Sequence, residues 1–169
     1  MFDCCLILAG GKGSRLSPIT NNTPKPLVEV NGESFIKYLI EYLRSYGITN
    51  IILLTGYLGD NFDLLIEEYR DISGISVRKL QTEPDFNTSK RVQLSKKILS
   101  GDVLVCYGDV YSEVNLTSYY NFYKSLKTCS TSISALSRHI KLNKIQIYDT
   151  NLPLENYSGE LRVQPGLKL

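Results

Sequence analysis

Three short runs, CCLILAG (4–10), NIILLTG (50–56) and DVLVCYGD (102–109), are apolar at consecutive rather than alternate positions. A strand that is apolar on both sides has to be covered on both sides, which is the habit of parallel sheets with helical crossovers. The intervening segments supply the helices. SFIKYLIEYLRSYG (34–47) lines up Phe35, Ile36, Leu39, Ile40, Leu43 and Tyr46 at helical spacing and stops at Gly47. GDNFDLLIEEYRD (59–71) repeats Phe62, Leu65, Ile66 and Tyr69, with Asp60 as its expected N-cap. ISVRKL (75–80) reads as another strand, and TSKRVQLSKKIL (88–99) as a helix with Val92, Ser95 and Leu99 inward. The charged run from Lys90 to Lys97 is read as that helix's solvated face, with Lys90 or Arg91 reaching a phosphate as the alternative. Asn115 is the expected cap of a helix carrying Leu116, Tyr119, Tyr120, Tyr123 and Leu126.

This order predicts an α/β chain, Rossmann-like, with three α/β/α layers and a mostly parallel sheet. After CSTSISAL (129–136), the segments KIQIYD (144–149) and ELRV (160–163) alternate apolar with polar and predict a partial antiparallel C-terminal extension. A length of 169 residues suits one domain, 1–169. The net charge of +2 gives no reason to expect a nucleic-acid partner. No apolar run reaches the ~18 residues that cross a bilayer, and MFDCC lacks the basic start of a secretion signal. Cys4, Cys5, Cys106 and Cys129 form no C-x-x-C, so buried free thiols and a cytoplasmic location are expected, with a homo-oligomer left open.

The first apolar strand runs into LILAGGKGSRLSPITNNTPKPLVEV (6–30). Ligands of open parallel sheets sit beyond the carboxyl ends of the strands, which is where Gly10, Gly11 and Gly13 fall. Glycines let backbone N–H groups converge into an anion cradle, and they also serve any tight strand-to-helix turn. The spacing matches neither G-x-x-x-x-G-K-[ST] nor G-x-G-x-x-G, since Gly13 follows Lys12 and Leu16 takes the last glycine position. Arg15, and Lys25 held between Pro24 and Pro26, add two cations to the same loop. They favour the anion reading over the turn.

LAGGKGSRLSPIT followed by PKPLVEVNG resembles the signature of the sugar-phosphate nucleotidylyltransferases, a family of the nucleoside-triphosphate transferase superfamily. The likeness continues more weakly through GITNIILLTGY (47–57) and YGD (107–109). It implies transfer of a nucleoside monophosphate from an NTP to a phosphorylated small-molecule acceptor, releasing pyrophosphate. Leu8, Ala9, Gly10, Gly11, Gly13, Ser14 and Gly108 would bind the nucleotide, and Arg15 and Lys25 would be catalytic. Asp109, at the carboxyl end of its strand, would hold Mg²⁺, a turn-capping role being the alternative; Asp102 opens the opposite, non-functional edge. Gln81 would read the base, or simply face solvent. SKRVQLSKKIL with YGDVYSEVNL is similar to glucose-1-phosphate cytidylyltransferases, and NTS to phosphocholine-type ones; both lean toward CTP. FNTSKRV stands where the family has a small-residue stretch, which leaves the usual sugar site in question. The family's second metal aspartate and acceptor-binding elements come later than Leu169, so the domain looks short at its acceptor end, with VQPG (163–166) as a remnant. A non-catalytic NTP-binding or partner-binding module is the competing reading. Tyr57 is expected in the core or on the crevice, and the lone His139 is given no role.

Overall fold

The computed structural model describes residues 1–125, 132–134 and 146–148. Its contacts divide the chain into two compact units, Met1–Tyr111 and Ser112–Leu169, where the sequence alone is read as one domain.

In the first unit the elements in chain order are β1 (Cys4–Leu8), β2 (Glu29–Val30), β3 (Glu33–Ser34), α1 (Phe35–Ser45), β4 (Asn50–Thr55), α2 (Asp63–Arg70), β5 (Ser76–Gln81), α3 (Thr88–Ser95) and β6 (Val103–Tyr107). β1, β4, β5 and β6 form one parallel sheet in the order β5-β4-β1-β6, and β2 and β3 make a small antiparallel hairpin. The chain moves outward from β1 to β4 to β5 and then returns to the other side of β1. That reversal opens a crevice between the carboxyl ends of β1 and β6.

Register assigns the two faces. Cys5 lies beside Ile51 and Ile51 beside Val77, so Cys5, Ile51, Val77 and Lys79 share a face. α2 covers it: Lys79 Nζ is 2.6 Å from Asp63 and 3.4 Å from Asp60. The opposite face carries Leu6, Ile52 and Leu54, packed with Leu8, Leu80 and Val92 of α3. Helices on both faces explain why the strands are apolar throughout. α1 buries Ile36, Leu39, Ile40 and Leu43. Each such side chain contributes about 1.5–3 kcal/mol on burial, which outweighs any helix propensity. Gly47 ends the helix at φ 76°, and its N–H donates to the Arg44 carbonyl at 2.8 Å.

Two expectations need correction. Asp60 does not cap α2: a 3₁₀ turn, Gly59–Phe62, precedes the helix, and the Asp60 carboxylate turns to Lys79 instead. α3 ends at Ser95, followed by a 3₁₀ turn Lys96–Ile98. Its cap is Asn87, whose side-chain oxygen accepts from the Lys90 N–H at 2.9 Å.

The second unit contains α4 (Leu116–Ser125), capped by Asn115 through the Ser118 N–H at 2.9 Å. It also contains an antiparallel pair, β7 (Ser132–Ser134) and β8 (Gln146–Tyr148), with Ser132 opposite Tyr148. Leu126, Cys129, His139 and the segments 160–163 and 163–166 lie outside the described residues. Among the described residues no helix is long and apolar enough to cross a membrane.

Candidate active site

The loop after β1 is shaped by its own hydrogen bonds. The Ala9 N–H reaches the Leu54 carbonyl at 3.0 Å, and the Gly10 carbonyl accepts from the Tyr57 N–H at 3.3 Å, so the chain leaves the sheet beside β4. Gly13 takes φ 62°, a left-handed turn that an L side chain adopts only under strain. Its carbonyl accepts from the Leu16 N–H at 2.9 Å and from the Thr20 hydroxyl at 2.8 Å. A short 3₁₀ turn, Ser14–Leu16, then carries Arg15 outward. Arg15 is exposed and forms no ion pair among the described residues.

Lys25 starts another 3₁₀ turn, with Pro24 and Pro26 buried on either side. This fixes the root of the side chain. Its Nζ lies 2.6 Å from the Asp109 carboxylate, just past β6. Two residues separated by 84 positions in sequence thus meet across the β1–β6 crevice. Gly108 permits the approach. Its N–H donates to the Leu8 carbonyl at 2.9 Å, and a Cβ there would press on that oxygen and on Pro26, both at 3.1 Å. Asp102 sits at the other end of the strand, its backbone paired with Asp3.

These elements enclose an open cleft of about 670 Å³. Leu8, Ala9, Gly10, Gly11, Gly13, Ser14, Arg15, Lys25 and Asp109 all line it. The segment Pro84–Thr88 also lines it, and there Lys12 Nζ meets the Asp85 carboxylate at 2.9 Å. That hydrogen bond and the lysine's charge hold the Asp85 carboxyl below its usual range. The cations of the cleft, Lys12, Arg15, Lys25 and Arg91, outnumber its carboxylates, Asp85 and Asp109. The balance suits a polyanion.

Gly108 and Gln81, both expected to bind the nucleotide, are not among the cleft's lining residues, and neither is Tyr57, for which the core is the favoured expectation. Gln81 is exposed at the end of β5, and its side chain lies against Gly59, where a Cβ would be 2.6 Å from Oε1. Tyr57 is half-buried, its hydroxyl donating to the Asn21 carbonyl at 3.0 Å.

Arg91 corrects the reading of 90–97 as a solvated face. It is 6% exposed and lines the cleft, with Nη2 donating to the Pro84 and Glu83 carbonyls at 2.8 and 3.3 Å. The guanidinium lies on two glycines. A Cβ on Gly10 would fall on Nη1, and one on Gly56 would be 2.6–2.7 Å from the guanidinium atoms. Burial pushes its basicity down. The signal was present in the sequence: Arg91 stands four residues before Ser95, which is also buried.

No group of three or more His, Cys, Asp or Glu side chains among the described residues could hold a metal by itself. Asp109 is a single carboxylate at the cation-lined wall. It fits a hard cation that takes its other ligands from phosphate and water.

A glycine loop at the switch point of a parallel sheet, with a lysine and an aspartate meeting across the crevice, stands where open α/β sheets take their ligands. The family model for nucleotidyl transferases matches residues 4–140, and the chain belongs to that family. Choline-phosphate cytidylyltransferase of Streptococcus pneumoniae is 40% identical over 100 residues, covering 59% of this chain and 42% of that protein. Mannose-1-phosphate guanyltransferase of Gibberella zeae is 35% identical over 124 residues, covering 71% of this chain and 34% of that one. Among solved structures, CTP:phosphocholine cytidylyltransferase of S. pneumoniae superposes with a TM-score of 0.57 at 38% identity, covering 69% of this chain and 49% of that chain. HddC of Yersinia pseudotuberculosis, complexed with GMP-PN, gives a TM-score of 0.64 at 28% identity, covering 76% and 56%. The chain thus spans half or less of the curated relatives it matches.

Proposed function

We propose that the cleft binds a nucleoside triphosphate, with CTP favoured, and transfers its nucleoside monophosphate to a phosphomonoester. The acceptor would be choline phosphate or a sugar 1-phosphate. The observation that carries the reading is the meeting of Lys25 and Asp109 beside the glycine loop, at 2.6 Å. An acceptor phosphate oxygen attacks the α-phosphorus, a new P–O bond forms, the α–β anhydride bond breaks and pyrophosphate leaves. The backbone amides of the loop and Arg15 hold the β- and γ-phosphates and take up the charge that grows on the leaving group. Lys25 sits where the α-phosphate crosses toward Asp109. Mg²⁺, held by Asp109 and the phosphates, would neutralise the same charge. Lys25 and Asp109 pair with each other at 2.6 Å, and a bound nucleotide and metal would exchange that one ion pair for two. The choline-phosphate cytidylyltransferase likeness, 40% over 100 residues, supports CTP and a choline phosphate acceptor. The free thiols Cys4, Cys5 and Cys106, all at least half-buried, fit the reducing cytoplasm.

Pyrophosphate release tests this reading, with each NTP against choline phosphate and a panel of sugar 1-phosphates. Lys25→Ala and Arg15→Ala should each lower turnover by roughly 100-fold or more, with unchanged circular dichroism. Undiminished release in both variants would refute the mechanism. NTP binding without release from any acceptor would make the chain a binding module instead.

A further inference from the structure

The cations that line the cleft differ in how firmly each is held. Arg91 is buried and tied to the Glu83 and Pro84 carbonyls. Lys25 is rooted between two buried prolines and paired with Asp109. Lys12 is held loosely. Gly11 and Gly13 on either side of it offer no side chain to pack on its stem. Its one ion pair among the described residues is with Asp85, at 2.9 Å, and the two side chains are 59% and 85% exposed. Water and salt screen such a contact, so a stronger anion can displace it.

Asp85 belongs to a loop that is fastened elsewhere. At its start, the Thr82 N–H and hydroxyl both donate to the Thr55 carbonyl, at 3.2 and 2.7 Å. Further on, Arg91 holds the Glu83 and Pro84 carbonyls, and the Phe86 N–H closes a turn on the Glu83 carbonyl at 3.2 Å. At its end, Asn87 caps α3 through the Lys90 N–H. None of these bonds joins two opposite charges. The Lys12–Asp85 contact does, and it is the fastening for which a polyanion competes.

On the reading that the cleft holds a nucleoside triphosphate, we propose that Lys12 is a further phosphate ligand, held in reserve by Asp85. Lys12 sits inside the run Gly10–Gly13, whose amides are the proposed phosphate seat, so its flexible stem has only to swing over its own loop. A triphosphate offers the ammonium more negative charge than one carboxylate does. Asp85, already exposed, returns to water when it is released. Phosphate binding therefore unfastens the loop at Asp85 and leaves its other bonds in place.

A double-mutant cycle tests this. Inorganic tripolyphosphate, CTP, UTP, GTP and ATP are titrated calorimetrically, at low ionic strength, into the wild-type chain, Lys12→Gln, Asp85→Asn and the double variant. Both positions are exposed, so the variants should stay folded, and the fitted stoichiometry corrects for any inactive fraction. The cycle is read on every compound that the wild type binds. Lys12→Gln should weaken binding by about 3-fold or more. Asp85→Asn should tighten it, because the ammonium no longer has to be drawn off. That gain should be about 2- to 5-fold larger with Lys12 present than in the Lys12→Gln background. Equal gains in the two backgrounds would mean that the pair stays closed over the ligand, and would overturn the proposal. So would a Lys12→Gln chain that binds as tightly as wild type. Either result leaves the proposed function standing; a wild type that binds none of these compounds overturns both.

Discussion

Gly10 and Gly11 are adjacent and look interchangeable in sequence, yet the structure gives them opposite sensitivities. A methyl group at Gly10 would land on the Arg91 guanidinium, whereas one at Gly11 meets nothing within 4 Å. Gly10→Ala must therefore expel Arg91 and give up its bonds to Pro84 at 2.8 Å and Glu83 at 3.3 Å. A hydrogen bond from a charged group contributes about 1.5–3 kcal/mol, the longer of the pair less. The freed guanidinium regains water, and replacing glycine stiffens the unfolded chain by about 0.4–1 kcal/mol in favour of folding. The net is a loss of about 2 kcal/mol, or a fall in melting temperature of about 4–8 °C for a chain of this size. Gly11→Ala should stay within about 0.5 kcal/mol of wild type but weaken nucleotide binding, because its methyl stands in the cleft. Thermal unfolding followed by circular dichroism reads both. Repeating Gly10→Ala in an Arg91→Ala background isolates the clash, since the cost should then largely vanish. An unchanged cost in that background, or a Gly10→Ala chain as stable as wild type, would refute the packing of guanidinium on glycine.

Other expectations follow from single groups. The Thr55 hydroxyl is fully buried without a partner among the described residues; Thr55→Val should raise stability by about 1 kcal/mol, and a lowered midpoint in chemical denaturation would show that the hydroxyl is satisfied. Tyr69 is buried with its hydroxyl donating to Glu41 at 3.1 Å, and burial, then the Glu41 charge, push its phenol well above the usual value of 10.0. Because the folded value is raised, its contribution is complete below pH ~10 and is lost as pH climbs further. Stability of Tyr69→Phe should therefore fall less steeply than wild type above pH ~10, and parallel curves would contradict this. Asn87→Ala removes the α3 cap and should cost about 1 kcal/mol, read as a lowered denaturation midpoint.

Most of the parallel sheet was legible because its strands are apolar at consecutive positions, a pattern that few other environments tolerate. The crevice was legible too: glycines after β1 and an aspartate after β6 mark the carboxyl ends of neighbouring strands. The ends of α2 and α3 were harder to place. Asp60 has the right chemistry for a cap, but Lys79 on β5 competes for its carboxylate, and that partner is distant in sequence. Gln81 shows how strand parity decides placement. It shares a face with Val77 and Lys79, beneath α2, whereas Leu54 and Leu8 point to the cleft side. Arg91 was hidden by its neighbours. Lys90, Lys96 and Lys97 are exposed, so local charge suggested solvent, and only its four-residue spacing from Ser95 marked the buried stripe.

The loop after β1 is the proposed seat of the phosphates. A crystal structure of the chain with CTP and Mg²⁺ tests this most directly. It should place the β- and γ-phosphates on the amides between Gly11 and Arg15. The α-phosphate should have separated Lys25 from Asp109. A nucleotide bound elsewhere, or a Lys25–Asp109 pair still closed beneath a bound triphosphate, would contradict it.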